Sequence, residues 1–175
     1  GVAVDPVLGS RSADTLSGLG PGPLEVGTRL PLGPPTVIPS VGTGAIGVSA
    51  APDAVVVTVH LGPRADWIHD AAGRLGEDAW TVAPTGDRVG VRLEGRALDR
   101  AKARHGEELP SEGLVAGAVQ VPPDGQPVVF LADHPTTGGY PVVGVVDPAA
   151  LPAFAQLRPG SSVRFSPVVT APPEL

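Results

Sequence analysis

Glycine and proline interrupt this chain so often that long helices are excluded. The 24 glycines and 22 prolines make up about a quarter of the 175 residues. Proline disrupts the interior of helices and central strands, whereas glycine favours turns. Between these residues lie short runs rich in valine, which has a high strand propensity. The pattern therefore predicts a mainly β protein whose short strands are joined by tight turns.

The clearest predicted strand is Ala54–Leu61, a β-branched run that lies between Pro52-Asp53 and Gly62-Pro63. Six further segments have a similar character: Ala79–Pro84, Val89–Leu93, Ala118–Val121, Val128–Ala132, Tyr140–Val146 and Ser162–Ser166. Helical spacing predicts two or three short helices, at Asp66–Leu75, Pro148–Leu157 and Ala13–Gly18, and Leu98–Glu108 is polar enough to predict a solvated loop. The hairpin-length gaps favour a closed β-barrel or a sandwich over a parallel α/β sheet.

Composition excludes several classes of partner. The net charge of −6 and the isoelectric point of about 5.1 argue against nucleic acid and anionic membranes as partners. No apolar run approaches the ~18 residues of a membrane span. The absence of cysteine excludes disulfides and thiolate metal sites, and it favours a cytoplasmic protein.

The start of the chain predicts that it is part of a longer protein. It opens at Gly1-Val2-Ala3 and contains no methionine. We expect residues 1–40 to be the end of a truncated N-terminal region and a linker, and residues 41–175 to form the barrel domain.

The sequence predicts neither a dinucleotide site nor a metal site. Gly42–Gly47 matches G-x-G-x-x-G, but prolines precede it and Pro52 follows it, so the strand and helix of a dinucleotide site are missing. The four histidines do not have metal-binding spacing. The first motif is interpreted as a connector, and no metal site is expected.

The strongest candidate for a ligand surface is the polar loop that follows the predicted strand Val128–Ala132. Its hydroxyls, carboxylate, imidazole and phenol lie beside paired glycines, where a backbone can approach a ligand closely. Thr136–Gly139 could form an anion-binding nest or simply a well-made loop. The candidate substrate-binding residues here are Asp133, His134, Thr136, Thr137, Gly138, Gly139 and Tyr140.

Three residues outside the loop complete the candidate site. Arg88 and Arg92 project to one side of a strand, so they could hold a carboxylate or phosphate together, or each could pair with a local acid. Gln120 lies in an apolar strand and needs a hydrogen-bond partner if it is buried. It is therefore a better candidate than Gln126. No catalytic residue can be assigned from these patterns.

Six spaced segments carry a resemblance to a known family: Leu8–Ser12, Asp87–Gly95, Ser111–Gly113, Gly117–Pro127, Leu131–Asp133 and Thr136–Pro141. The chain resembles the C-terminal part of the family called allophanate hydrolase subunit 2, also described as KipA-like, biotin-dependent carboxyltransferase-like, or the C subunit of 5-oxoprolinase. Many members have Arg-Gln where this chain has His134-Pro135, so a role of that arginine does not carry over.

The resemblance implies a cyclophilin-like closed β-barrel and a subunit of an ATP-dependent 5-oxoprolinase, which converts 5-oxo-L-proline to L-glutamate. It implies a KipI-like partner (subunit 1, or the B subunit) and a LamB/YcsF-like subunit, with ATP acting through the complex. Two alternatives stay open. One is the carboxyltransferase half-domain of a urea-type carboxylase with biotin on a separate carrier, and the other is a non-catalytic regulator that binds a KipI-like kinase inhibitor.

Overall fold

The computed structural model describes residues 2–14, 17–22, 24–34 and 52–169. The chain divides into two compact units, Gly1–Gly47 and Val48–Leu175. The G-x-G-x-x-G motif, most of the predicted linker and two residues of the predicted helix Ala13–Gly18 lie outside the described residues. In the first unit, isolated bridges join Val2 to Leu32, Val7 to Ser10 and Asp14 to Leu19. The described residues of this unit are thus extended and rich in turns, as the sequence predicts. The predicted helix Ala13–Gly18 is not formed by its described residues, because Asp14 pairs with Leu19 across a turn.

The second unit contains nine strands and two α-helices among its described residues. The strands are β1 (Ala54–Leu61), β2 (Trp80–Val82), β3 (Gly90–Glu94), β4 (Glu112–Gly113), β5 (Ala118–Gln120), β6 (Val128–Phe130), β7 (Thr137–Gly138), β8 (Val142–Val146) and β9 (Ser162–Val168). The helices are α1 (Ala71–Glu77) and α2 (Leu151–Phe154). The seven predicted strands and the two predicted helices of this unit are confirmed, with bounds that differ by a few residues. The predicted helix Asp66–Leu75 is divided into a 3₁₀ turn at Ala65–Trp67 and α1, because Ile68 is extended and Asp70 is left-handed.

Seven of these strands close into a barrel in the order β1-β8-β5-β6-β3-β2-β9. β1 and β9 complete the ring as a parallel pair that runs from Ala54 opposite Ser162 to His60 opposite Val168. The other neighbouring pairs are antiparallel. The prediction of a mainly β, closed barrel is therefore confirmed. Neither α-helix of the described part is long and apolar enough to cross a membrane.

The barrel interior is filled by alternate side chains of its strands. Val59, Val119, Val129 and Val146 are fully buried in one cluster with the tryptophan Trp80. Because neighbouring side chains of a strand point to opposite faces, the residues beside them face outward. Ala118, Gln120, Val128 and Phe130 accordingly lie on the outer surface of β5 and β6.

A two-stranded ribbon, formed by β4 and β7, covers part of this outer surface. Glu112 pairs with Gly138, and Gly113 pairs with Thr137. Leu114, which follows β4, packs against Ala118 and Phe130 in a second apolar cluster. The ribbon therefore brings the polar loop, which is more than 20 residues away in sequence, against the residues that follow β4.

The prediction that Leu98–Glu108 forms a solvated loop is wrong in part. Leu98 is buried, and its backbone N–H donates to the carbonyl of Gly125 at 2.9 Å. Gly125 has a φ of 72°, and an added Cβ there would lie 2.8 Å from the Leu98 carbonyl oxygen. The β5–β6 turn thus packs on this loop, a contact between distant segments that local polarity does not reveal.

Candidate functional site

Three of the predicted site residues line one groove on the outer surface of the barrel. We call it the Gln120 groove. It has a volume of about 650 Å³ and lies over β3, β5 and β6. Its polar side chains include Arg92, Gln120 and Tyr140, and its apolar wall includes Val128 and Phe130. A groove of this size, with a few polar groups on an apolar wall, is suited to a small molecule.

Gln120 is a buried amide in this groove. It is 6% exposed, and its Nε2 donates to the backbone carbonyl of Tyr140 at 3.2 Å. Among the residues that the structure describes, none donates to its Oε1. The amide is therefore held by one hydrogen bond and offers one acceptor to a ligand. The sequence prediction that a buried Gln120 needs a partner is consistent with this contact.

Gly138 lies directly against that amide. An added Cβ at this position would be 2.8 Å from Gln120 Nε2 and 3.0 Å from Leu114 Cδ1. Both distances are shorter than an ordinary van der Waals contact. Neither Gly138 nor Gly139 has a positive φ, and Thr137–Gly138 is a strand. The loop therefore lacks the alternating backbone of an anion-binding nest, and Gly138 is small because Gln120 needs the space.

The two candidate arginines do not act on one ligand in this structure. Arg92 faces the Gln120 groove and pairs with Asp124 at 3.6 Å. Arg88 pairs with Asp133 at 3.2 Å and lines a different groove of about 710 Å³ between the barrel end and α2. Each arginine thus has its own carboxylate, which is the second of the two alternatives that the sequence left open.

The other predicted site residues of the polar loop do not converge on the Gln120 groove. The His134 Nδ1 donates to the Pro135 carbonyl at 2.8 Å, since a carbonyl oxygen can only accept. Thr136 accepts from the Leu114 N–H through its backbone carbonyl, and the side chains of Thr136 and Thr137 are exposed. Asp133, His134, Thr136 and Thr137 do not line the Gln120 groove.

An ion pair that sequence reasoning missed anchors the ribbon. Arg64 donates from Nε to both carboxylate oxygens of Glu112 at 3.0 Å, and Nη2 makes a further contact. Through these hydrogen bonds Arg64 lowers the pKa of the Glu112 carboxyl below its ordinary value, and Glu112 raises the pKa of Arg64. The partners are 48 residues apart. Only the resemblance segment Ser111–Gly113 gave any signal for this contact.

A second missed cluster surrounds Trp67, a buried residue after β1. The guanidinium carbons of Arg100 and Arg104 lie 4.8 and 5.2 Å from the centroid of its ring. Arg104 also pairs with Asp66 at 2.6 Å and with Glu107 at 3.1 Å. The hydrogen bond to Asp66 raises the pKa of Arg104 most, and the hydrogen bond to Glu107 raises it further.

Arg100 lines a neighbouring groove of about 690 Å³, which we call the Arg100 groove. Gly139 and Tyr140 form part of its wall, and Pro122 and Tyr140 line both this groove and the Gln120 groove. Among the described residues, no group of three or more His, Asp or Glu side chains is arranged to hold a metal ion.

Comparison with known proteins gives a consistent result. Residues 1–167 match the family described as "Carboxyltransferase domain, subdomain A and B". The chain is 43% identical over 89 residues to the 5-oxoprolinase C subunit of Haemophilus influenzae, a match that covers 51% of the chain and 28% of that protein. It is 34% identical over 173 residues to the 5-oxoprolinase C subunit of Escherichia coli, a match that covers 94% of the chain and 53% of that protein.

The crystal structure of the urea amidolyase of K. lactis is also similar. It superimposes with a TM-score of 0.70 at 27% identity, over 96% of this chain and 12% of that protein. The chain spans about half of the Escherichia coli relative and a smaller share of the other two proteins. The family predicted from the six sequence segments is therefore confirmed.

Proposed function

The chain belongs to the family of the carboxyltransferase domain, subdomains A and B, and from this premise we propose that it is part of a subunit of an ATP-dependent 5-oxoprolinase. Such a complex converts 5-oxo-L-proline to L-glutamate. The two relatives that are named as 5-oxoprolinase subunits support this function over others. The observation that carries it in the structure is the buried amide of Gln120, whose Oε1 lacks a donor among the described residues.

The groups of 5-oxoproline match those of the Gln120 groove. The lactam N–H is a donor, and the Oε1 of Gln120 is an acceptor on the apolar wall. The carboxylate of the substrate suits the guanidinium of Arg92, which would leave its 3.6 Å contact with Asp124. Both contacts bind and orient the substrate, so we assign Gln120 and Arg92 to binding rather than to bond cleavage.

We propose that ATP binds through other subunits of the complex. A lactam is unreactive, and ATP supplies its activation when bound. The described helices α1 and α2 have seven and four residues, and neither follows a glycine-rich phosphate loop. The described residues therefore do not fit a nucleotide phosphate site of that type. A KipI-like protein and a LamB/YcsF-like protein are the proposed partners.

Reconstitution tests this function directly. The protein in its full natural length is combined with the KipI-like and LamB/YcsF-like proteins of the same genome, and 5-oxoproline-dependent ATP hydrolysis and glutamate release are measured. We expect turnover only when all components are present. Absence of turnover in the complete mixture would contradict the proposal. Stable binding to the KipI-like protein without turnover would favour a regulator instead.

The similarity to a urea amidolyase favours one second function. In this alternative, the chain is the carboxyltransferase half-domain of a biotin-dependent, urea-type carboxylase. The carrier would be a separate chain or domain, because Lys102 lies in a 3₁₀ turn without the methionines that flank a biotinylated lysine. Biotin-dependent carboxylation of urea, measured with a biotin carboxylase and a biotinylated carrier, separates this function from the first.

A further inference from the structure

The Arg100 groove contains an arginine without an acidic partner. Five arginines of the described barrel unit, Arg64, Arg74, Arg88, Arg92 and Arg104, form ion pairs with carboxylates. Of the four that do not, Arg96, Arg158 and Arg164 are exposed to solvent. Arg100 is half-buried and lines the groove. Its positive charge is therefore available to an anion that enters there.

The guanidinium of Arg100 is also held in position. It stacks on Trp67, which is 4% exposed, with 4.8 Å between the guanidinium carbon and the ring centroid. A backbone bridge joins Arg100 to Ile68, and Ala101 N–H donates to the Trp67 carbonyl at 2.8 Å. A guanidinium that is already ordered loses less conformational entropy when it binds a carboxylate.

The opposite charge in the same groove comes from Glu108. Both Glu107 and Glu108 line the groove, but Glu107 is already paired with Arg104. Glu108 has no ion pair among the described residues. One free cation and one free anion therefore face the same space. Such a pair neutralises a zwitterion better than it neutralises a dianion or a simple cation.

The remaining wall of the groove is apolar. It is formed by aliphatic side chains and by a row of prolines beside Tyr140, namely Ile68, Leu98, Leu109, Val121, Pro122, Pro123 and Pro141. A ligand that carries both charges and an apolar group would bury the apolar group against this wall.

We propose that the Arg100 groove binds an α-amino acid with an apolar side chain. The carboxylate of the ligand pairs with Arg100, its ammonium pairs with Glu108, and its side chain packs on the apolar wall. This site is distinct from the Gln120 groove, although Pro122 and Tyr140 border both.

Isothermal titration calorimetry of the full-length protein with L-leucine and L-proline tests the proposal. The measurement uses neither ATP nor partner proteins, so its outcome does not depend on turnover by the proposed oxoprolinase, and the variants below distinguish this site from the Gln120 groove. We expect saturable binding of at least one of the two with a stoichiometry of one. Loss of a charge-assisted hydrogen bond typically weakens binding about 10- to 100-fold. We therefore expect that weakening for N-acetyl-L-leucine, which lacks the ammonium, and for L-leucinamide, which lacks the carboxylate.

Variants locate the site. Arg100→Gln and Glu108→Gln should each weaken binding about 10-fold or more. Arg96→Gln, which removes an exposed arginine outside the groove, should leave it unchanged. If circular dichroism shows that Arg100→Gln does not fold, Glu108→Gln decides, because its side chain is exposed and unpaired in the described structure.

Two results would overturn the proposal. The first is that neither amino acid binds saturably. The second is that Glu108→Gln binds as tightly as the wild type.

Discussion

Gly138 shows how a single small residue shapes the Gln120 groove. Its Cα lies where a side chain would collide with the amide of Gln120 and with Leu114. Across the same ribbon, Gly113 has no atom within 4 Å of an added Cβ. The two glycines therefore share a secondary structure but differ in the space around them, which makes them a matched pair for mutation.

We predict opposite outcomes for alanine at these two positions. Gly138→Ala should push Gln120 out of its contact with Tyr140 and lower the free energy of unfolding by about 1–3 kcal/mol. Gly113→Ala should be neutral, or stabilising by up to about 1 kcal/mol, because alanine loses less backbone entropy than glycine. Urea denaturation of both variants measures the difference. Equal stability of the two would contradict the packing of Gly138 on Gln120.

The sequence could predict that Gln120 needs a hydrogen-bond partner, but not why position 138 must be a glycine. An amide in an apolar strand needs a partner wherever that strand lies, so the prediction depends only on local context. The contact of Gly138 with Gln120 depends on how the ribbon lies over β5, which is a property of the whole fold. For the same reason the sequence left a nest and a well-made loop open for Thr136–Gly139, and the backbone of the described loop has the negative φ angles of the second alternative.

At the scale of elements, the ribbon of β4 and β7 is the part that organises the site. It has only two residues in each strand, and it is tied to the segment after β1 by Arg64 and Glu112. Such short strands have no measurable periodicity, so the sequence predicted the seven strands of the barrel and missed these two. The ion pair was missed because its partners are distant in sequence.

The stabilising effect of this ion pair should depend on pH. The folded state lowers the pKa of Glu112, so its contribution is fully present above the ordinary value of about 4.3 and is lost as the pH falls through the lowered value. Glu112→Gln should therefore have a lower urea midpoint than the wild type at pH 7, and the gap should narrow steadily below about pH 4.

Glu94→Gln is the control for this prediction. Glu94 is an exposed residue of β3 and makes no ion pair in the described structure. Its substitution should leave the urea midpoint close to the wild-type value at pH 7. A gap between Glu112→Gln and the wild type that stays constant from pH 7 to pH 3 would show that the ion pair does not contribute.

For the molecule as a whole, closure of the barrel by β1 and β9 is the central structural feature. β1 alternates between the interior and the surface, so that Val59 is 0% exposed and Val56 is 73% exposed. The sequence pattern predicted this strand and left a closed barrel or a sandwich open, and the family resemblance implied the closed barrel. The pattern could not give the parallel pairing of the first and last strands, since no local pattern records which distant strands meet.

Two identical substitutions in β1 test the burial pattern. Val59→Ala removes two methyl groups from the core and should lower the free energy of unfolding by about 2–3 kcal/mol, which combines the lost transfer energy with a cavity term. Val56→Ala should change it by less than about 1 kcal/mol. Urea denaturation at neutral pH gives both values. A larger loss for Val56→Ala would mean that the faces of the strand are reversed.

The most direct test of the proposed function is the kcat/KM of the reconstituted complex for 5-oxoproline when Gln120 is changed to alanine. Loss of one hydrogen bond to the substrate should lower kcat/KM about 3- to 10-fold. The matched variant Gln126→Ala removes an amide that hydrogen-bonds the Gly95 backbone and lies outside the groove, so it should retain wild-type kcat/KM. A folded Gln120→Ala variant with wild-type kcat/KM would contradict the assignment of the Gln120 groove as the substrate site.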